Sequence, residues 1–149
     1  MIGQHHLFAD FRQEYLDVVA GCAKNAHFKP AEYLCKEGEA ADEMYLIRTG
    51  KVALEISQAG HGHMTFQSAG PGEVVGLSWL VPPYRWSYDA RAVDEVQAIA
   101  IDTHCLRTKC EADTALGYEV MKRCMPIIVE RLHGTRLQLL DLYGQRKST

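Results

Sequence analysis

Apolar residues near the N-terminus recur at three- and four-residue spacing: Leu7, Phe8, Phe11, Tyr15, Leu16, Val18 and Val19. That period predicts an N-terminal helical segment over 1–26, with Gly21 and Cys22 ending the pattern near Ala26. From His27 the period changes. Met44–Arg48 and Lys51–Ile56 are short apolar runs separated by Thr49-Gly50, which predicts a tight hairpin. Ala59-Gly60-His61-Gly62 predicts a second hairpin tip, with Met64–Gln67 returning from it, and Gly70-Pro71-Gly72-Glu73 a further turn. Trp86–Ala92 and Val96–Ile101 alternate as half-buried strands do. Many short strands with turns at close intervals predict a sandwich, jelly roll or barrel over 27–101.

Helical spacing returns over 102–144. Asp102 is placed to cap a short helix through Leu106 and Lys109, and Asp113 to cap the next. Met121, Met125, Ile128, Leu132, Thr135, Leu139 and Leu142 then follow at spacings of 4, 3, 4, 3, 4 and 3. A strict 3.5-residue period predicts an a/d seam and hence a homodimer. Leu137, Leu140 and Tyr143 make a second stripe, expected to face the roll. Pro126 is expected to kink this helix or to mark a junction between two.

A chain of 149 residues is read as one domain, 1–149, with no linker or internal repeat. A net charge of −3 supplies no electrostatic footprint for nucleic acid, so no nucleic-acid partner is expected. The N-terminus lacks the basic and apolar regions of a signal peptide, and no apolar run is long enough for a membrane span. The five cysteines are odd in number and contain no CxxC pair. No disulfide framework is expected, and a cytoplasmic location follows. Cys22, Cys35 and Cys124 sit in apolar patterns and read as core residues.

The order helix, glycine-punctuated strands, short helix and long amphipathic helix resembles the cyclic-nucleotide-binding domain of the catabolite-activator and fumarate–nitrate-regulator superfamily. The resemblance rests on Glu37–Val52, on Gly72-Glu73-Val74-Val75-Gly76, and on Arg91-Ala92 followed by Val96–Ile101. It implies a mainly β fold with flanking helices: a double-stranded β-helix, the jelly-roll-like β-roll, plus a long C-terminal helix. It also implies a phosphate-binding cassette whose amides cradle an anion, as helix N-termini do. Placed on this sequence, the ligand site comprises Val75, Gly76, Leu77, Ser78, Arg85 and Ser87, closed by the long helix at Arg131 or Thr135. The cassette departs from the family pattern in two places. Leu77 stands where a carboxylate is expected to accept from the ribose 2′-OH. The phosphate-reading Arg-Ser pair is split, with Arg85 and Ser87 flanking Trp86. Arg85 either forms charge-assisted bonds to a phosphate or packs on Trp86 or Tyr84, and Arg91 is the other candidate phosphate reader.

The implied function is a stand-alone regulatory or sensor domain binding a cyclic nucleotide, such as cyclic AMP or cyclic GMP, or a related small anion. No other cofactor and no catalytic residue are expected. The helix-turn-helix of the family's transcription factors is missing after the long helix, so regulation of a partner protein is expected in place of operator binding. The alternative is a degenerate dimerisation and interaction module that takes no nucleotide. A third reading is a cupin-like metalloenzyme using His61 and His63. Gln67 stands near its Glu position and His104 lies in a helix, so no metal is expected.

Overall fold

The computed structural model describes residues 3, 5–58, 60 and 62–147. Two four-stranded antiparallel sheets face each other as the expected β-roll. One has the order β1 (Ala23–Phe28), β8 (Val96–Asp102), β3 (Glu43–Thr49), β6 (Val74–Val75). The other has β2 (Tyr33–Cys35), β7 (Asp89–Ala92), β4 (Val52–Gln58), β5 (Gly62–Ala69). Met44, Leu46, Val52, Leu54, Ile99 and Ile101 fill the core between and beside them. Burying each such side chain stabilises the fold by about 1.5–3 kcal/mol.

Several sequence expectations need correction. The N-terminal segment is a 3₁₀ turn (His6–Phe8) followed by α1 (Gln13–Ala20). Helix does not reach residue 26, because 23–28 pairs with β8 from Ala23↔Ile101 to Phe28↔Val96. The reversal at Thr49-Gly50 is no hairpin. β3 and β4 belong to different sheets, and Gly50 (φ +89°) is the corner where the chain passes between them. A Cβ there would stand 2.2 Å from the Glu95 carbonyl oxygen, so only glycine fits. The second hairpin is present: β4 and β5 pair down to Gln58↔Gly62, with Ala59 and His61 outside the described residues. β8 is covered on both faces, leaving only Gln97 and Asp102 exposed, because one face looks into the roll and the helix that follows it packs against the sheet it belongs to.

Both predicted caps are made. Asp102 accepts from the Cys105 amide (3.0 Å) at the start of α2 (Thr103–Ala112). Asp113 accepts from the amides of Ala115 and Leu116 (3.1 and 3.3 Å). α3 then runs from Thr114 to Lys147 as one helix, through Pro126 and without a junction. Its first turns bury Leu116, Val120 and Cys124, and the helix packs against α2 and the N-terminal turn. Beyond them Leu137, Leu140 and Tyr143 are at least half exposed and do not face the roll. The helix touches the roll there through Gln138, whose amide donates to the Phe66 carbonyl (2.6 Å).

The expectation of unlinked cysteines also fails. Cys22 and Cys105 form a disulfide. The β1–β8 register sets Cys22 beside the end of β8, where its carbonyl accepts from the Asp102 amide (2.8 Å), three residues before Cys105. Cys35 and Cys124 are buried thiols, as expected, and Cys110 is partly buried. Burial pushes the Cys110 and Cys124 thiols up to about 11 and about 12, so neither is a ready thiolate.

Candidate ligand site

The cassette is built by β6 and the loop after it. Val75 pairs with Tyr45, which ends the strand under the roll. Gly76 follows at φ +102°, then Leu77 and a single 3₁₀ turn, Ser78–Leu80. The turn is pinned from outside. The Arg107 side chain of α2 donates to the Trp79 carbonyl (3.2 Å) and lies 4.0 Å over the Tyr84 ring. Val75, Gly76, Leu77 and Ser78 run consecutively through this segment. Leu77 is buried and presents no acceptor to a ribose hydroxyl.

The expected phosphate readers do not join them. Arg85 and Ser87 are both exposed. Arg85 donates to the Gly38 carbonyl (2.8 Å), and Ala40 bridges to Arg85. Between them the chain pairs with 38–39: the Trp86 amide donates to the Glu39 carbonyl (2.9 Å), and the Gly38 amide donates to Trp86 (2.8 Å). Extended backbone alternates its faces. With Arg85 and Ser87 turned outward, Trp86 is turned inward and buried, as are Ala90 and Ala92 further along. Arg91 points outward too. It forms a two-bond ion pair with the buried Glu55 (3.0 and 3.3 Å), which holds the Glu55 carboxyl below its usual range. Neither Arg85 nor Arg91 reaches the cassette.

Trp86 occupies the space above Gly76. A Cβ on Gly76 would stand 2.3 Å from the indole Cη2 and 2.7 Å from Cζ3. The ring belongs to a row of five through the roll: Phe28, Tyr45, Trp86, Tyr88 and Phe66. Their consecutive centroid separations are 5.5, 6.5, 6.0 and 5.8 Å. Such contacts add about 0.5–1.5 kcal/mol each beyond area burial. Among the described residues the Tyr88 hydroxyl is enclosed without a hydrogen-bond partner, and desolvation raises its pKa. Trp86 and Tyr88 are the site residues that sequence reasoning missed. The signal was present in the alternation Trp86, Tyr88, Ala90, Ala92, which marks one inward face.

On the long helix, Arg131 does reach the site and donates to the Val74 carbonyl. Thr135 does not. It is exposed, and its hydroxyl donates to the Arg131 carbonyl of its own helix (2.9 Å). Of the histidines read as candidate metal ligands, His61 lies outside the described residues. His63 faces Asp89 at 3.6 Å, and His104 is exposed on α2. Asp89 also accepts from the Glu37 amide (2.7 Å). Among the described residues no group of three or more His, Cys, Asp or Glu side chains could hold a metal ion. Among the described residues no helix is long and apolar enough to cross a membrane.

Comparison with known proteins agrees with this architecture. The family model for the cyclic nucleotide-binding domain matches residues 25–113. The CRP-like cAMP-activated global transcriptional regulator of Mycobacterium tuberculosis is 27% identical over 106 residues, 71% of this chain and 46% of that protein. Cyclic nucleotide-gated ion channel 18 of Arabidopsis thaliana is 24% identical over 110 residues, 67% of this chain and 16% of that protein. This chain thus spans less than half the length of either relative. The crystal structure of a putative cyclic nucleotide-binding protein from Geobacter metallireducens is 30% identical. It superposes with a TM-score of 0.80 over 89% of this chain and 96% of that one. The β-roll, the glycine-opened cassette and the match over 25–113 together place this chain in the cyclic nucleotide-binding domain family.

Proposed function

We propose that the chain is a non-enzymatic regulatory module whose cassette is closed from within and takes no cyclic nucleotide. One observation carries this reading: the Trp86 indole lies against Gly76, where the family's cassette opens toward its ligand. A tryptophan there fills volume and offers no cation to a phosphate, while Leu77 offers no carboxylate to a ribose. Each missing charged hydrogen bond withholds about 1.5–3 kcal/mol, so the two together weaken a nucleotide by roughly two to four orders of magnitude. Of the sequence readings, this favours the interaction module over the nucleotide sensor. Calorimetric titration with cyclic AMP and cyclic GMP should give no one-to-one isotherm in the micromolar range. The double variant Leu77→Glu, Trp86→Arg should gain one. Micromolar binding by the native protein would overturn the reading.

The module is proposed to act as a homodimer through α3, with a partner protein as the receiver of its signal. Met121, Met125, Ile128, Leu132, Leu139 and Leu142 form an apolar stripe, each between 38% and 60% exposed. Thr135 lies on the same stripe. Replacing Leu132 and Leu139 by Asp puts charges where a partner helix would exclude water. Sedimentation should show a native dimer and a folded monomeric variant. A native protein that sediments as a monomer at high micromolar concentration would sink the dimer.

A further inference from the structure

The Cys22–Cys105 disulfide ties the entry of β1 to the first turn of α2. Its two ends differ in access: Cys22 is only 7% exposed, whereas Cys105 is partly exposed. α2 holds the rest of the molecule through Thr103 and Arg107, which are four residues apart and so share one face of the helix. The Thr103 hydroxyl donates to the Ala41 carbonyl (2.6 Å), and its amide to the Asp42 carbonyl (2.9 Å). Arg107 donates to the Trp79 carbonyl (3.2 Å) and covers the Tyr84 ring, the contacts that pin the cassette turn. Cys105 lies two residues from each, which puts it on the opposite side of the helix. α2 is therefore clamped from two sides, by β1 through the disulfide and by the cassette through Arg107.

We infer that this disulfide is a redox site, reduced reversibly by a dithiol, and that its state sets how firmly α2 holds the cassette. A thiolate of the reductant attacks Sγ of Cys105, the more accessible sulfur. The bond to Cys22 breaks, and Cys22 leaves as a thiolate that takes up a proton. The reductant's second thiol, deprotonated, attacks the reductant's first sulfur and releases Cys105, which is protonated in turn. Two electrons and two protons pass to the protein, and the reductant is left as an internal disulfide. Exposed disulfides are the ones open to such exchange. Burial raises the other three thiols, Cys35, Cys110 and Cys124, so no competing thiolate scrambles the pair. With the bridge open, Thr103 and the buried Leu106 still anchor α2, so the fold persists. The helix loses its restraint on the β1 side and is free to turn about Thr103. Arg107, a partly exposed side chain on one long hydrogen bond, is the contact that yields. The module thereby has an input other than a nucleotide, which goes beyond the closed-cassette reading and does not rest on it.

Trp79 and Trp86 are the two tryptophans of the chain, and both are buried at the cassette, so their emission reports on it. Native protein equilibrated in mixtures of reduced and oxidised dithiothreitol should gain two alkylatable thiols and a red-shifted emission along one curve, with its circular dichroism unchanged. Oxidised dithiothreitol alone should reverse both changes. Cys105→Ser should show the reduced emission in every mixture. Arg107→Gln removes the pin and leaves the disulfide. Its oxidised form should already be red-shifted, and reduction should move its emission less than half as far as it moves that of the native protein. Lys109→Gln, exposed on the same helix, should respond as the native protein does. Thiols that appear only as the circular dichroism signal is lost would make the bridge a fixed staple and overturn the redox site. An emission change in Arg107→Gln equal to the native one, or none in folded native protein that has gained its thiols, would overturn the link to the cassette. Where Cys105→Ser does not fold, the comparison of native protein with Arg107→Gln decides.

Discussion

Gly76→Ala should destabilise the protein by about 2–5 kcal/mol, and most of that loss should disappear when Trp86 is also truncated. Two costs add. At φ +102° an L side chain clashes with its own backbone, which costs about 1–2 kcal/mol. The new methyl also meets the indole at 2.3 Å, and overpacking of that kind costs about 1–3 kcal/mol. Trp86→Ala alone should cost about 3–5 kcal/mol, since it empties a buried ring position in the aromatic row. The double variant removes the clash and keeps the backbone strain and the cavity left by the ring. Its cost should fall short of the sum of the single costs by about 1–3 kcal/mol. Urea unfolding at one fixed protein concentration measures all three, since any dimer makes stability concentration-dependent. Strict additivity would show that Trp86 does not rest on Gly76, and the closed-cassette reading would go with it.

Cys105→Ser should lower stability by about 4.5 kcal/mol, the chain-entropy value for a loop closed across 83 residues. Against a typical total of about 5–15 kcal/mol, that is a large share. It corresponds to a fall in Tm of roughly 10–20 °C for a domain of this size. Dithiothreitol should move the native protein to the variant's Tm and leave the variant unmoved. If the native Tm ignores the reductant, the Cys22–Cys105 link does not hold β1 to α2. The remaining thiols are poor alternative partners for exchange. Burial raises Cys35, Cys110 and Cys124 alike, so little thiolate is available at neutral pH.

What was legible in the sequence is local. Asp102 and Asp113 cap the helices they precede because a capping carboxylate needs only amides two or three positions on. The β4–β5 hairpin, the turn at Gly70–Glu73 and the apolar stripe of α3 likewise follow from spacing over a few residues. Glu37–Val52 and Gly72–Gly76 carried the family resemblance, and through it the β-roll, because turn glycines at fixed intervals constrain topology.

Tertiary structure alone decided the rest, and in each case the deciding contact is far away in sequence. Residues 23–26 fall inside the predicted helical segment but become β1, since β8 offers them a ladder some 75 residues downstream. Gly50 separates two strands that look like a hairpin, yet β3 pairs with β6 and β8 while β4 pairs with β5 and β7. The same pairing of β1 with β8 sets Cys22 beside the start of α2 and allows a disulfide that cysteine counting argued against. The cassette shows the limit most sharply. Arg85 has the right chemistry and stands one residue away from the right place. One residue in extended backbone exchanges inside for outside, and that parity is set by pairing with 38–40, not by anything within 85–87. Residue types alone announced a phosphate site; the register put an indole there.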